Sequence, residues 1–318
     1  MKIGIIGTGA YAIAISSLLE NKNYDITMWT KIESEFQDLV KTHKNENALN
    51  YVLDNKIKFT KELKEFENKD YLILVIPTKF IKETIQEFKP FYRNQEILIA
   101  SKGMIEDNNI FIHEYLEKEL NTNKISCLSG PSFANDVILK TPFGLTFTSK
   151  NYDSLNKWIN IFSDISYLTI DKTDDILGVE ICGVLKNIIA IAAGILNGMN
   201  CTPSTTIKFL VDASRDIQDL LEKLNVKKES FYTYSGIGDF LLTATSKSSR
   251  NYTLGTLIGE DKDITNYIKN TTVEGLDNLK EMKKVLEVKN IKFPIIDILY
   301  EIIYNSKEKT LLLKYLYK

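Results

Sequence analysis

Lys2-Ile3-Gly4-Ile5-Ile6-Gly7-Thr8-Gly9-Ala10-Tyr11-Ala12-Ile13 decides the fold: a short apolar run, two glycines one residue apart, then an apolar helical pattern through Leu19. Glycines at 7 and 9 permit a tight turn and let the backbone approach a pyrophosphate, whose charge the N–H groups at the start of the following helix stabilise. Alanine stands at 12, where the dinucleotide-binding fingerprint usually has its third glycine. That position has only to let helix and strand pack closely, which alanine allows. So short a pattern also fits an ordinary turn, and it is the flanking strand and helix that favour a phosphate cradle.

Outward from this point the chain alternates short apolar runs with helical patterns. Ile26–Trp29, Tyr71–Ile76, Glu96–Ala100, Ser126–Leu128 and Leu145–Thr148 read as strands, with Phe80–Phe88 and Ile110–Leu120 as helices between them. Nearly continuous apolar strands are those covered by helices on both faces. The expectation is an α/β fold, an N-terminal Rossmann-type doubly wound parallel sheet followed by a mainly α-helical C-terminal domain. From about Asp174 helical spacing takes over, through Ile176–Leu196, Ile207–Leu224, Phe240–Thr245, Val273–Val288 and Ile295–Tyr304. This divides the chain into residues 1–174, the dinucleotide-binding domain, and 175–318, with the polar run Asp171–Asp175 as the seam. The Lys/Asn-rich stretches at Lys41–Asn50 and Glu260–Asn270 read as solvated loops.

The bulk numbers limit the function classes. At 318 residues and 44% hydrophobic content the chain exceeds the size at which one core usually stops growing. Lysine plus arginine (40) against aspartate plus glutamate (42) gives a formal charge of −2, without the broad basic field of a nucleic-acid binder. Three cysteines, Cys127, Cys182 and Cys201, lack the paired spacing of a disulfide framework or a zinc site, so a reducing cytoplasm and no metal are expected. The apolar start is broken too soon by Gly7, Thr8 and Gly9 to be a signal peptide. Ile181–Ile207 carries one charge, Lys186, and polar breaks at Asn187, Asn197 and Asn200 make it a buried core helix rather than a membrane span.

Several residues carry candidate chemistry. A cation at Lys31, just past the second strand, suits a 2′-phosphate and hence NADP, while nearby Glu33 leaves NAD open and a solvated loop lysine is the bland alternative. Burial would lower the pKa of Lys186 and fit it to move a proton near neutral pH; the competing reading is a lysine that snorkels to water. Gly183, Asn187, Ala190 and Gly194 form a small-residue stripe beside it, where a ligand or another backbone could come close. Ser249, Arg250 and Asn251 precede a short helix at Tyr252–Ile258 and could form a phosphate site or a plain capping turn. Asp239, after the glycine-hinged Gly236-Ile237-Gly238, is either an N-cap or a partner for substrate or for Lys186. Lys102-Gly103 and Ser129-Gly130-Pro131-Ser132-Phe133-Ala134 follow predicted strands, where open α/β sheets bind ligands. His43 and His113, the two histidines, read as surface residues, so a histidine-centred mechanism has little support.

Taken in order, G-T-G-A-Y, S-K-G, G-P-S-F-A, the apolar helix with L-K-N, G-I-G-D-F-L-L-T, S-R-N and V-E-G resemble the bacterial NAD(P)-dependent glycerol-3-phosphate dehydrogenases over essentially the whole chain. The resemblance implies NAD or NADP as cofactor, no metal, and interconversion of dihydroxyacetone phosphate and sn-glycerol 3-phosphate for phospholipid synthesis. It makes residues 175–318 the substrate-binding and catalytic domain and Lys186 the proton donor and acceptor. Lys102, Gly130, Ser132, Asp239, Ser249, Arg250 and Asn251 become substrate contacts. Besides Gly7 and Gly9, the implied cofactor contacts are Ala10, Tyr11, Lys31, Lys102, Ala134, Arg250, Thr272 and Glu274. The implied partners are a small phosphorylated substrate, no nucleic acid and no membrane, with a homodimer left open.

Three departures bear on these roles: Ala12 where the family has glycine, Lys31 where it has arginine, and Asn197–Pro203 in place of a glycine- and alanine-rich run. Two other readings fit parts of the pattern. A ketopantoate reductase-like hydroxyacid dehydrogenase also puts a lysine on the first helix of its second domain, but Ser249-Arg250-Asn251 speaks for a phosphate. A nucleotide-sensing protein without catalysis would have no need of Lys186 together with Asp239.

Overall fold

The computed structural model describes residues 1–106 and 109–317. Short 3-10 turns aside, its first half runs β1 (Lys2–Ile6), α1 (Ala10–Leu19), β2 (Asp25–Trp29), α2 (Glu33–Thr42), β3 (Lys58–Thr60), β4 (Tyr71–Leu74), α3 (Ile81–Phe88), β5 (Glu96–Ile99), β6 (Met104–Ile105), β7 (Ile110–Phe111), α4 (Ile112–Leu120), β8 (Ile125–Ser129), α5 (Ala134–Ile138), β9 (Phe143–Thr148), α6 (Tyr152–Phe162) and β10 (Leu168–Thr173). Helices follow: α7 (Ile176–Gly198), α8 (Pro203–Lys223), α9 (Asp239–Thr245), α10 (Arg250–Gly259), α11 (Thr265–Asn270), α12 (Glu274–Val288), α13 (Pro294–Tyr304) and α14 (Leu311–Leu316). Two compact units result, Met1–Ser101 with Ile112–Ile176, and Lys102–Phe111 with Leu177–Lys318.

The first unit is built on an eight-stranded sheet of order β10-β9-β8-β5-β4-β1-β2-β3. The chain steps from β1 to β2 on one side and to β4 on the other, so the order reverses beside β1, where doubly wound folds bind their ligand. Ala12 is fully buried in the core with Ile3, Ile5, Ile13, Met28, Ile73 and Leu98, as close packing of α1 requires. The α/β class is as the periodicity predicts, with one reversal: β8 and β9 are antiparallel, pairing Cys127 with Thr148 and Ser129 with Thr146. A helix of five residues such as α5 rises about 7.5 Å. A five-residue strand is about 16 Å long, so the chain re-enters the sheet from the end it left.

Four expectations change. The polar seam Asp171–Asp175 is in part the edge strand β10, whose Asp171 and Lys172 are the charges that edge strands carry against further pairing. Within Lys41–Asn50, Asn45 is fully buried and Leu49 nearly so. Glu260–Asn270 holds the exposed helix α11. His113 is a core residue of α4 at 1% exposure, and His43 ends α2 in a left-handed conformation against the Phe59 ring.

In the second unit α7 is the central helix. It is long and apolar enough to cross a membrane, but 94% of its most apolar window is buried inside the fold. The small-residue stripe admits a backbone there: a Cβ on Gly194 would lie 2.1 Å from the Tyr252 carbonyl oxygen, and one on Gly255 2.0 Å from that of Ile191. Helices α7 and α10 therefore touch main chain to main chain, and that fixes where each presents its polar residues.

Candidate active site

In the first unit the fingerprint forms an open cradle. Gly7 has φ +132, and a Cβ there would lie 2.2 Å from the Val75 carbonyl oxygen, so only glycine fits. Gly9 caps α1 without a side-chain hydrogen bond, and a Cβ on it would meet nothing within 4 Å. An uncapped helix start with an open approach, at the strand-order reversal, fits a dinucleotide's pyrophosphate. Two groups pin the loop. The buried Asn45 amide donates to the Thr8 carbonyl oxygen at 3.0 Å, and the Thr8 hydroxyl donates to Glu35 Oε2 at 2.5 Å.

The other expected residues of this unit gather beside the cradle. Tyr11 in the first turn of α1 shares a 2.9 Å hydrogen bond with Ser132, whose hydroxyl also donates to the Gly130 carbonyl oxygen at 3.0 Å. Gly130 lets the end of β8 pass the neighbouring strand, since its Cβ would fall 2.6 Å from the Gly144 carbonyl oxygen. Ala134 begins α5, which packs on α1. Lys31 differs from expectation: it is exposed but engaged, its Nζ 2.6 Å from Glu83 and 3.0 Å from Glu87, and these hydrogen bonds raise its pKa. Glu33 is likewise held, by Lys61 and Gln37.

The second unit brings two lysines onto one carboxylate. Lys186 Nζ lies 2.8 Å from Asp239 Oδ1, and Lys102 Nζ lies 2.5 Å from Asp239 Oδ2. Lys186 does not snorkel: it is 7% exposed and Asp239 2%. Burial pushes the Lys186 ammonium down, Asp239 opposes the shift and the Lys102 charge reinforces it, leaving a pKa of about 8. For Asp239 burial acts upward, but the two ammonium groups prevail and hold it below the usual carboxylate value. A lysine poised within a unit or so of neutral pH beside a fixed carboxylate is equipped to give and take a proton.

Local structure explains the placement. Tyr234–Gly238 is a π-helical turn, packed so tightly that a Cβ on Gly236 would lie 2.2 Å from the Phe231 carbonyl oxygen; it is not a hinged loop. Asp239 is thus the first residue of α9 rather than its cap. Thr243, one turn later, closes the G-I-G-D-F-L-L-T motif, in which the sequence gives it no role of its own. Its buried hydroxyl accepts from Lys186 at 3.0 Å and donates to Asp239 Oδ1 at 3.2 Å. The i, i+4 spacing of Asp239 and Thr243 was the available signal. Gly183, a turn before Lys186, leaves room: a Cβ there would touch only the Lys102 side chain, at 3.9 Å.

A second network joins α7, α10 and α12. The Asn251 amide donates to Asn187 at 2.9 Å and its oxygen accepts from Gly275 N at 2.9 Å, while the Asn187 amide donates to Glu274 at 3.2 Å. Ser249 caps α10 by accepting from Tyr252 N at 3.3 Å, so the capping role is real. Arg250 beside it is exposed, and its guanidinium takes no hydrogen bond among the described residues. Thr272, half-buried, precedes α12, whose first residue is Glu274. Among the described residues no cluster of histidine, cysteine, aspartate and glutamate could hold a metal ion.

Residues 2–155 match the family described as NAD-dependent glycerol-3-phosphate dehydrogenase N-terminus, and residues 175–314 match its C-terminus. A glycerol-3-phosphate dehydrogenase [NAD(P)+] of Clostridium botulinum is 32% identical over 315 residues, covering 98% of this chain and 95% of its own. One from Fusobacterium nucleatum is 32% identical over 314 residues, with 96% and 93% coverage. The solved glycerol-3-phosphate dehydrogenase of Coxiella burnetii superposes with a TM-score of 0.93 at 25% identity, covering 100% of this chain and 98% of its own.

Proposed function

This chain belongs to the NAD-dependent glycerol-3-phosphate dehydrogenase family, and from that premise we propose that it interconverts dihydroxyacetone phosphate and sn-glycerol 3-phosphate with Lys186 moving the proton at the C2 oxygen. The observation that carries the mechanism is the buried Lys186 bound to Asp239 and Thr243, with its pKa lowered to about 8. NAD(P) is the cofactor, and when bound in reduced form it supplies the hydride for C2.

The chain's own residues do the rest. In the reductive direction protonated Lys186 donates to the carbonyl oxygen as that oxygen gains charge, and in the oxidative direction neutral Lys186 accepts the hydroxyl proton. Asp239 fixes the ammonium group and favours its charged form, while Lys102 provides a second cation that stabilises the developing oxyanion. Arg250 offers an unspent planar fork to the substrate phosphate, with Ser249 and Asn251 beside it at the start of α10. Gly7, Gly9, Ala10 and Tyr11 seat the cofactor, flanked by Gly130, Ser132 and Ala134 of the same unit. In this reading the first unit is the dinucleotide-binding domain and the second the substrate and catalytic domain of a cytoplasmic enzyme supplying phospholipid synthesis.

Adding dihydroxyacetone phosphate to the purified protein with NADH or NADPH should oxidise the reduced nicotinamide and yield sn-glycerol 3-phosphate. Unphosphorylated dihydroxyacetone should react with kcat/KM lower by about tenfold or more, since a charge-assisted hydrogen bond contributes about 1.5–3 kcal/mol. Equal rates with both ketones would remove the phosphate site, and no oxidation with either cofactor would remove the enzyme reading.

A further inference from the structure

We propose that Glu35 makes this chain select NADH over NADPH, by accepting the adenosine ribose hydroxyl and repelling a 2′-phosphate. The inference rests on the reading of the Gly7–Tyr11 cradle as the cofactor's seat. In doubly wound folds the adenosine ribose lies past the end of the second strand, where a carboxylate accepts its 2′-hydroxyl or a cation takes a 2′-phosphate. Here β2 ends at Trp29, followed by Thr30 and Lys31.

By position Lys31 looks like the phosphate ligand, but two carboxylates on α3, Glu83 and Glu87, already hold its ammonium group. The neighbouring cation, Lys61, is spent on Glu33. Among the described residues no cation pairs with Glu35. Its Oε2 accepts from the Thr8 hydroxyl at 2.5 Å and from the Thr30 hydroxyl at 3.1 Å, and Oε1 takes no hydrogen bond among the described residues. An acid in the first turn of a helix serves the helix dipole wherever its side chain points. This one reaches back across 27 positions to the residue between the two cradle glycines.

The result is a half-exposed carboxylate fixed between the cradle loop and the end of β2, with one acceptor oxygen available. A ribose hydroxyl can donate to it. A 2′-phosphate, with about two negative charges, would meet Glu35 in a set where the carboxylates of Glu33, Glu35, Glu83 and Glu87 outnumber the ammonium groups of Lys31 and Lys61. Coulomb repulsion across several ångströms in a water-like dielectric corresponds to about tenfold in affinity.

The test is direct titration of the full chain with NADH and with NADPH, followed by nicotinamide fluorescence, for the wild type, Glu35→Gln and the double variant Glu83→Gln/Glu87→Gln. Glutamine keeps the acceptor for Thr8 and Thr30 and removes the charge. NADH should bind the wild type about tenfold or more tighter than NADPH. Glu35→Gln should narrow that ratio by about tenfold, mainly through tighter NADPH, and the double variant, which releases Lys31, should also tighten NADPH. Equal or tighter NADPH binding by the wild type would overturn the proposal. So would a Glu35→Gln variant that weakens both cofactors alike, the mark of a loop brace, or a double variant that leaves NADPH affinity unchanged. Failure to bind either cofactor would overturn the cradle reading as well.

Discussion

Replacing Lys186 by alanine is expected to cut turnover by about two to four powers of ten, the scale of general acid–base catalysis, while NADH and NADPH bind as before. Lys186 lies in the second unit and the fingerprint cradle in the first, so the substitution leaves Gly7, Gly9 and the Thr8–Glu35 contact intact. The loss is expected because the neighbouring groups are otherwise engaged: Thr243 is bonded to Lys186 and Asp239, and Lys102 is bound to the opposite oxygen of Asp239. The decrease should fall on kcat and kcat/KM together, as when an interaction made in the transition state is removed. Stopped-flow turnover together with cofactor titration measures both. A variant retaining more than about a tenth of wild-type turnover would take the proton-transfer role away from Lys186.

Asp239→Ala should have the largest effect on stability. Its carboxylate is 2% exposed and is the shared partner of two lysines, one of them buried. Removing one partner of a buried ion pair costs about 3–5 kcal/mol, a large part of the 5–15 kcal/mol that holds a domain together. The same change deprives Lys186 of the interaction that opposes its burial, so its pKa should fall further and its protonated fraction near neutral pH should drop. Asp239→Asn separates the two effects, since the amide still accepts a hydrogen bond but carries no charge. A lower denaturant midpoint at unchanged m for the alanine variant is the expected reading. Wild-type midpoints in both variants would show that the pair contributes nothing net to the fold.

What the sequence reveals, and what it hides, follows from range. Gly7, Gly9 and Ala12 declare a cradle because each answers a local demand of strand, turn and helix. Lys186 stands out because it is the single charge across Ile181–Ile207, where a charge is either paired, functional or led out to water along its stem. The reversal of β9 is less visible, because it depends on how far the short α5 can carry the chain, and its connection still looks like another crossover. Charge partners are hidden more deeply. Lys31 appears open to a phosphate until Glu83 and Glu87, 52 and 56 positions away, are seen to hold it. Asn45 sits in a lysine- and asparagine-rich stretch that composition assigns to solvent, yet it is fully buried and anchors Thr8. Thr243 required only the step from Asp239 to the next turn of the same helix.

The most direct test of the central claim is the pH dependence of kcat/KM measured in both directions, since this reports groups of the free enzyme. Lys186 is lowered to about 8 and must be charged to donate a proton and neutral to accept one. Reduction of dihydroxyacetone phosphate should therefore lose rate as pH rises through about 8, and oxidation of sn-glycerol 3-phosphate should gain rate through the same pH. Profiles that rise or fall together, or a limb that persists when Lys186 is replaced, would contradict the account.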